Sequence, residues 1–408
     1  MISSLHSNLG LLASQTFKSL KLFVPRENSM RVAIVHALFE VVGGDARLAL
    51  DMYRALRELG HEVDLYTAHV NEGAWRALTG DLREAPRPIT IKEPLASRLA
   101  GRALALRSIL ATSGLVRGLK GSNLGYDVVV DTYSNVPMRW VSAAYVHFPT
   151  ALLLDFHRAH RRLSLHERLY YGLVDREARR LASSRTAVMT NSTWTAEHVK
   201  RAYGSQRVYV VHPPVNVEEL STLGGDRGRI VLTVSGIYPE KNVLAIADVA
   251  KLVPEAEFYL VGATGPASGP VVRELKRRSD GLRNFHLETN VSRRRIIELM
   301  SQASIYLHPP FAEHFGIAIA EAAAAGLVPV VYRDGGGWTD IVSRIDQSLG
   351  YASVEEAAST IKSLLNDPER LKALSARARE VAKGFSYERF KERLNEVISS
   401  LSPDLSAK

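Results

Sequence analysis

The sequence predicts an α/β protein built from two doubly wound parallel sheets that face each other across a cleft. Three observations carry this reading. Short apolar runs alternate with stretches of helical period along most of the chain, the pattern of a parallel sheet covered by helices. The alternation breaks once near its middle, at Pro213-Pro214, and then resumes. The length of 408 residues suits two compact units at roughly 150 residues each.

The elements follow in order. Residues 1–29 read as a separate extension. Ile2, Leu5, Leu9, Leu12, Phe17 and Leu20 share one helical face, with Lys18, Lys21 and Arg26 near its end. This is either a surface or membrane-associated helix, or a tail ahead of a true start at Met30; it lacks the build of a signal peptide. A first domain is expected over 30–214, with strands at Val32–Ala37, Val63–Thr67, Asp127–Asp131, Ala143–Phe148 and Tyr209–His212. A helix is expected over Ala46–Leu59, stopped by Gly60. A second domain is expected over 215–385, with strands at Arg229–Ser235, Phe258–Val261, Phe285–Glu288, Ile305–His308 and Val328–Tyr332. A last helix, capped by Ser386, occupies the segment 386–408 and is expected to pack back on the first domain.

Composition narrows the function classes. Hydrophobic residues make up 46% and charged residues 23%, an ordinary globular balance. There is no cysteine, so disulfides, thiolate metal sites and a cysteine nucleophile are all excluded. No apolar run approaches the ~18 residues that span a bilayer. The net charge of +9 points to an anionic partner. Neither zinc-finger spacing nor an aromatic RNA-binding sheet motif accompanies it, so phosphate or an anionic membrane surface is favoured over nucleic acid.

The segment Ser304–Gly326 carries the strongest chemical signal. An apolar strand ends at Pro309-Pro310, a loop carries Glu313, and Gly316 opens a helix rich in Ala and Ile, expected to be buried nearly all round. Glu321 lies inside that helix. A carboxylate among close-packed alanines needs a cation or a ligand's hydroxyls as partner. A strand, loop, glycine and helix N-terminus also offer free N–H groups and a positive dipole end to phosphate. A phosphate cradle beside two carboxylates that grip hydroxyls is the chemistry of a nucleotide-sugar site.

The string Glu313-His314-Phe315-Gly316-Ile317, with Glu321 eight positions after Glu313, resembles the signature of glycosyltransferase family 4. Asn191-Ser192-Thr193-Trp194-Thr195, Pro239-Glu240-Lys241-Asn242 and Tyr145-Val146-His147-Phe148-Pro149 extend the resemblance over about residues 30–400. With Gly335-Gly336-Gly337-Trp338-Thr339-Asp340, they look most like mannosyltransferases that extend polyprenol- or dolichol-linked oligosaccharides. The resemblance implies the GT-B fold of two Rossmann-like domains, with the acceptor on the first and the nucleotide sugar on the second. It implies a retaining enzyme, with GDP-mannose as donor, no metal, and a lipid-linked or other glycan acceptor. A peripheral position on the cytosolic membrane face is implied too. A nucleotide-sugar epimerase or hydrolase on the same fold, or a non-catalytic nucleotide-sugar-binding subunit, are the alternatives.

The same resemblance supplies site roles. His147 and Glu313 are expected at the transferred sugar. Gly43, Gly44, Lys241, Val291, His314, Phe315, Gly316, Ile317 and Glu321 are expected around the donor, with Lys241 on the pyrophosphate. His36 ends the first strand as His147 ends a later one. Family members often carry Arg five residues before the lysine, where this chain has Gly236. No Asp-x-Asp motif is placed to hold Mg²⁺. The interval between Glu93 and Asp127 holds no acid, and Arg98, Arg102, Arg107, Arg117 and Lys120 interleave there with leucines. A second basic group holds His157, Arg158, His160, Arg161, Arg162 and Arg168. Both are expected to meet a lipid phosphate or a membrane.

Overall fold

The computed structural model describes residues 29–401 except 81, 83, 84, 102, 123, 161 and 226. The expected helix before Ser29, the tail after Leu401, and the expected contributions of Arg102, Arg161 and the His160 side chain lie outside the described residues.

The strands in chain order are β1 (Arg31–Val35), β2 (Leu38–Phe39), β3 (Glu62–Thr67), β4 (His69–Val70), β5 (Ile89–Thr90), β6 (Val128–Asp131), β7 (Ala143–Val146), β8 (Ala187–Thr190) and β9 (Val208–Val210) in the first half. The second half holds β10 (Gly228–Val234), β11 (Glu257–Gly262), β12 (Phe285–Thr289), β13 (Ala303–Leu307), β14 (Val328–Tyr332) and β15 (Gly350–Tyr351). One sheet runs β5-β3-β1-β6-β7-β8-β9 and the other β12-β11-β10-β13-β14-β15, while β2 and β4 form a small pair of their own. The registered pairs are parallel throughout. Strand order reverses at β1/β6 in the first sheet and at β10/β13 in the second, and such switch points open a crevice at the carboxyl ends of the strands. The fold is the expected pair of doubly wound sheets.

Apolar runs explain the central strands. Val128-Val129-Val130, Ala143-Ala144-Tyr145-Val146 and Ile305-Tyr306-Leu307 are apolar without alternation, as parallel strands covered on both faces are. The two-residue strands β5 and β15 and the four-residue β8 escape the sequence reading, being too short to show a period. The helix after β1 begins at Gly44, two residues before its expected start. It buries Leu48, Met52, Ala55 and Leu56 along one stripe, the helical spacing that faces a core.

The last helix, Tyr387–Ser399, does return to the first half. Ser386 caps it by accepting from Arg389 N. Phe390, Leu394, Val397 and Ile398 join the same buried cluster as Val32, Ile34, Met52 and Leu56. Lys391 reaches Glu58 at 3.3 Å, and the Arg54 guanidinium lies 4.0 Å from the Tyr387 ring centre. The two chain crossings between halves lie side by side, where Val215 N donates to Phe385 O at 2.8 Å.

The basic interval is corrected in part. Arg107 is only 16% exposed and pairs with Glu93 at 2.9 Å and Glu40 at 2.7 Å, acids outside the window that holds no acid. Arg117 lies over the Trp140 ring at 4.1 Å. Arg98 is exposed, as are Leu95, Leu99, Leu104, Leu165 and Leu169. Among the described residues no helix is long and apolar enough to cross a membrane.

Leu394 is fully buried in the shared cluster. Leu394→Ala is expected to lower the unfolding free energy by about 2–5 kcal/mol, read from urea denaturation followed by tryptophan fluorescence. A loss under about 0.5 kcal/mol would show that the last helix adds little to the first half.

Candidate functional site

The site is built on the loop between β13 and the helix Ile317–Ala325. Gly316 caps that helix at φ +88°, a left-handed conformation that a side chain disfavours, and no side chain caps its first turn. Its leading N–H groups therefore face the cleft with the positive dipole end. The glycine run 335–337 holds this loop from behind. Gly336 N donates to Glu313 O at 2.8 Å, and Glu313 and Gly335 form a parallel bridge. A Cβ on Gly335 or Gly336 would collide with the backbone of Glu313 or His314.

Lys241 arrives from the other side of the switch point, on the turn Pro239–Lys241 after β10. Asn242 ties that turn to the Glu313 loop by donating to Pro310 O at 3.1 Å. The Lys241 ammonium lies 2.7 Å from Glu313 Oε2. Burial alone would raise the Glu313 carboxyl, but Lys241, with His308 and His314 near by, holds it down at about 2. His308 is buried just beneath, its Nε2 3.8 Å from Glu313 Oε2, and neither of its ring nitrogens has a hydrogen-bond partner. Burial pushes His308 down to about 4, helped by Lys241 and opposed by Glu313. His314 is likewise pushed down to about 4 by burial. Its ring stacks on Phe148 of the first half, centres 4.6 Å apart. That packing joins the loop to the first half, and the His314 Nε2 has no hydrogen-bond partner among the described residues.

The first half closes the cleft from above. Gly44 approaches the helix terminus so nearly that a Cβ there would lie 3.5 Å from Ile317 Cδ1. Asp45 follows it. Burial opposes its ionisation, yet His36 and His147 hold its carboxyl below the usual range. His147 N donates to Asn135 Oδ1 at 2.6 Å, and Asn191 Nδ2 donates to His147 O at 3.1 Å, which fixes the backbone after β7. The His147 Nε2 has no partner, and burial lowers its pKa. His36 donates or accepts at Thr132 Oγ1, 3.1 Å away, and lies at the back of the same region.

Gly44, Asp45, His147, Lys241, Glu313, His314, Phe315, Gly316 and Ile317 thus share one cleft of about 440 Å³. Gly43, Val291 and Glu321 stand outside its lining. Glu321 is not enclosed by alanines as the sequence led one to expect. It lies at the edge of its helix and takes a forked pair from Arg293, at 2.9 and 3.1 Å. At Gly236, a Cβ would meet the Tyr238 ring at 2.7 Å, so that ring fills the space beside the turn and no arginine reaches in from 236.

Residues 42–219 match the model of Glycosyltransferase Family 4, and residues 222–381 match that of Glycosyl transferases group 1. The join falls at the crossing between the two sheets. The chain belongs to the GT-B glycosyltransferases of family 4. It is 25% identical over 317 residues to the GDP-Man:Man(3)GlcNAc(2)-PP-Dol alpha-1,2-mannosyltransferase of Dictyostelium discoideum. That match covers 68% of this chain, and the chain spans 63% of that relative's length. It is 25% identical over 442 residues to the alpha-1,3/1,6-mannosyltransferase ALG2 of Rhizomucor pusillus, covering 93% of this chain and 94% of that one. Among solved structures, the glycosyltransferase WaaG superposes with a TM-score of 0.65 at 17% identity, over 91% of this chain and all of WaaG. Anabaena HepE with UDP and glucose gives 0.66 at 17% identity, over 91% of this chain and all of HepE. At such identities the likeness is one of fold.

In this family 4 chain the two halves are clasped through Asp340, a fully buried acid that the sequence offered only as part of a motif. It accepts from Thr193 N at 2.9 Å, Thr193 Oγ1 at 2.5 Å, Thr339 Oγ1 at 2.6 Å and His212 Nε2 at 2.8 Å. Ser192 Oγ adds a bond to His314 O at 2.6 Å, and Trp194 Nε1 one to Asp334 at 2.9 Å. The sequence also passed over Asp45, Asn135, Asn191 and His308. Asn191 and His308 directly follow β8 and β13, the one signal that could have marked them, whereas Asn135 lies in the loop after β6 and Asp45 in the first turn of the helix Gly44–Glu58.

Three histidines held near 4 by burial, His36, His308 and His314, set a pH window. The unfolded chain binds their protons below about 6.5, whereas the folded chain refuses them until about 4. Their contribution to stability is therefore complete above pH 6.5 and falls as the pH drops toward 4, while Asp51, Asp131 and Asp175, each pushed up to about 6 by burial, act in the opposite sense over the same window. The change in urea midpoint between pH 7.5 and 4 should favour low pH more in His308→Gln than in wild type. Identical changes in the two proteins would contradict the burial of the His308 ring.

Proposed function

We propose that the protein transfers mannose from GDP-mannose to a lipid-linked oligosaccharide, with retention at the transferred carbon and without a metal. The observation that carries this is the Lys241–Glu313 pair at 2.7 Å beside an uncapped helix terminus at Gly316. The name of the Dictyostelium relative supplies the donor and the acceptor class, and the Rhizomucor relative is likewise a mannosyltransferase. In this reading the incoming pyrophosphate takes the helix N–H groups and the Lys241 ammonium. Glu313, released from Lys241, turns to the sugar hydroxyls. Glu321 takes the ribose hydroxyls. Lys241 and the helix dipole offset the charge that builds on the leaving diphosphate. His147, across the cleft, faces the sugar. The bond from the sugar's anomeric carbon to the phosphate oxygen breaks while the acceptor oxygen bonds to the same face. The acceptor's proton passes to the departing phosphate.

Glu313→Gln should lower kcat by ~10²–10³, the scale of one transition-state contact. Lys241→Ala should weaken GDP binding far more than guanosine binding in calorimetry. Equal losses for both ligands would remove Lys241 from the phosphate site. Transfer to a lipid-linked acceptor should persist in EDTA; loss restored by added Mg²⁺ or Mn²⁺ would overturn metal independence.

A lipid-linked acceptor stays in its bilayer, so the enzyme has to reach it there. The docking face in this reading is the first half around Arg98, Leu95 and Leu99, with Leu165 and Leu169 on the helix Leu165–Leu181. Leu99 is 78% exposed. Each cation near an anionic surface adds ~1 kcal/mol, and buried leucines add to it. The protein should float with anionic liposomes at low salt and leave them at high salt. Leu95→Gln, Leu99→Gln and Arg98→Glu together should release it without changing GDP affinity. Equal flotation of this variant and wild type would dismiss the face.

A further inference from the structure

Arg293 has no place in the reading above, yet its guanidinium makes a two-pronged contact to the carboxylate assigned to the ribose. Nη2 lies 2.9 Å from Glu321 Oε1 and Nη1 lies 3.1 Å from Oε2. Arg293 opens the helix Arg293–Gln302 directly after the turn that follows β12, and Ser292 caps that helix. This helix and the helix of Glu321 follow consecutive strands, β12 and β13, and touch each other. Both begin at the carboxyl edge of the sheet. A nucleotide with its phosphates at Gly316 and its ribose at Glu321 would put that ribose at the carboxylate that Arg293 grips. The neighbouring cations differ. Arg295 is held by Glu288 at 2.8 Å and by Glu298 at 3.2 Å. Arg294 is exposed.

We infer that Arg293 reads the donor's base and selects guanine. In the free protein its fork is occupied by Glu321. When the ribose hydroxyls take over that carboxylate, the fork is freed within one residue's reach of the base. Guanine presents two adjacent acceptors, O6 and N7, that match a guanidinium fork. Adenine sets a donor beside its N7, and uracil offers a single carbonyl on the corresponding edge. The guanidinium thus couples two events, since it becomes available only when a ribose has displaced it. Arg293 is 45% exposed and lies on a helix end, so its replacement leaves the core intact.

This inference rests on a guanine nucleotide donor. Calorimetry of the whole chain with GDP, UDP, ADP and 7-deaza-GDP, for wild type, Arg293→Met and Arg294→Met, tests the two separately. Wild type and Arg294→Met should bind GDP at least tenfold more tightly than UDP or ADP, and about tenfold more tightly than 7-deaza-GDP. Arg293→Met should bring all four ligands within about threefold of one another. Wild type that prefers UDP would end the guanine donor reading, and this inference with it. Wild type that prefers GDP, with the preference unchanged in Arg293→Met, would overturn the role of Arg293 alone. So would an equal weakening of all four ligands in that variant, which would make Arg293 a phosphate contact.

Discussion

An ionised carboxylate in a narrow cleft requires a counter-charge, and Glu313 has the Lys241 ammonium. Much of the second half serves to bring these two groups together. They stand 72 residues apart on turns after β10 and β13, strands that are neighbours in the sheet. Asn242 binds one turn to the other, and the glycine run 335–337 supports the Glu313 loop from behind through backbone contacts that admit no side chain. The buried His308, unpaired and neutral, leaves the carboxylate only one strong partner to exchange for a ligand. In the proposed reading each half of the pair has its own partner in the ligand, the phosphates for Lys241 and the sugar hydroxyls for Glu313.

The second constraint is the buried charge of Asp340. Its four donors come from the helix start after β8, from the end of β9 and from its own neighbour. A buried carboxylate so fully satisfied is costly to strip. It fixes where Thr193 and His212 of the first half sit against the loop of the second. The stacking of Phe148 on His314 uses the same alignment. The opposed walls of the cleft are thus referenced to one acid that does not line it.

The fold was legible where strands were long enough to show an apolar run, as at Val328–Tyr332, and where a residue type carried its own mechanism, as with Ser386 as a helix cap. The strand Ala187–Thr190 was not, because three apolar residues and a threonine before a polar turn have no period. At the site, Gly316 and the carboxylates were legible from local context. The pairings of those carboxylates were not: Lys241 was marked for the pyrophosphate from its own turn, but nothing local ties it to Glu313, or Arg293 to Glu321, across 72 and 28 positions. Arg107 shows the reverse error. A window without acids looked like a free basic face, but Glu93 lies one residue outside it and Glu40 arrives through the fold. The enclosure of Glu321 was overestimated because a run of alanines hides which edge of a helix faces outward.

The return of the last helix to the first half has a consequence for how the protein is made. A ribosome releases the first sheet's strands long before Phe390, Leu394, Val397 and Ile398 exist. Until they emerge, the apolar cluster that holds Val32, Met52 and Leu56 lacks these four members. The first half therefore completes this cluster only after the second half has been made, whereas the core of the second half draws, among the described residues, on nothing after Phe385. Contacts of such long sequence separation form slowly. The exposure of apolar surface in that interval follows from chain order, not from the stability of the finished molecule.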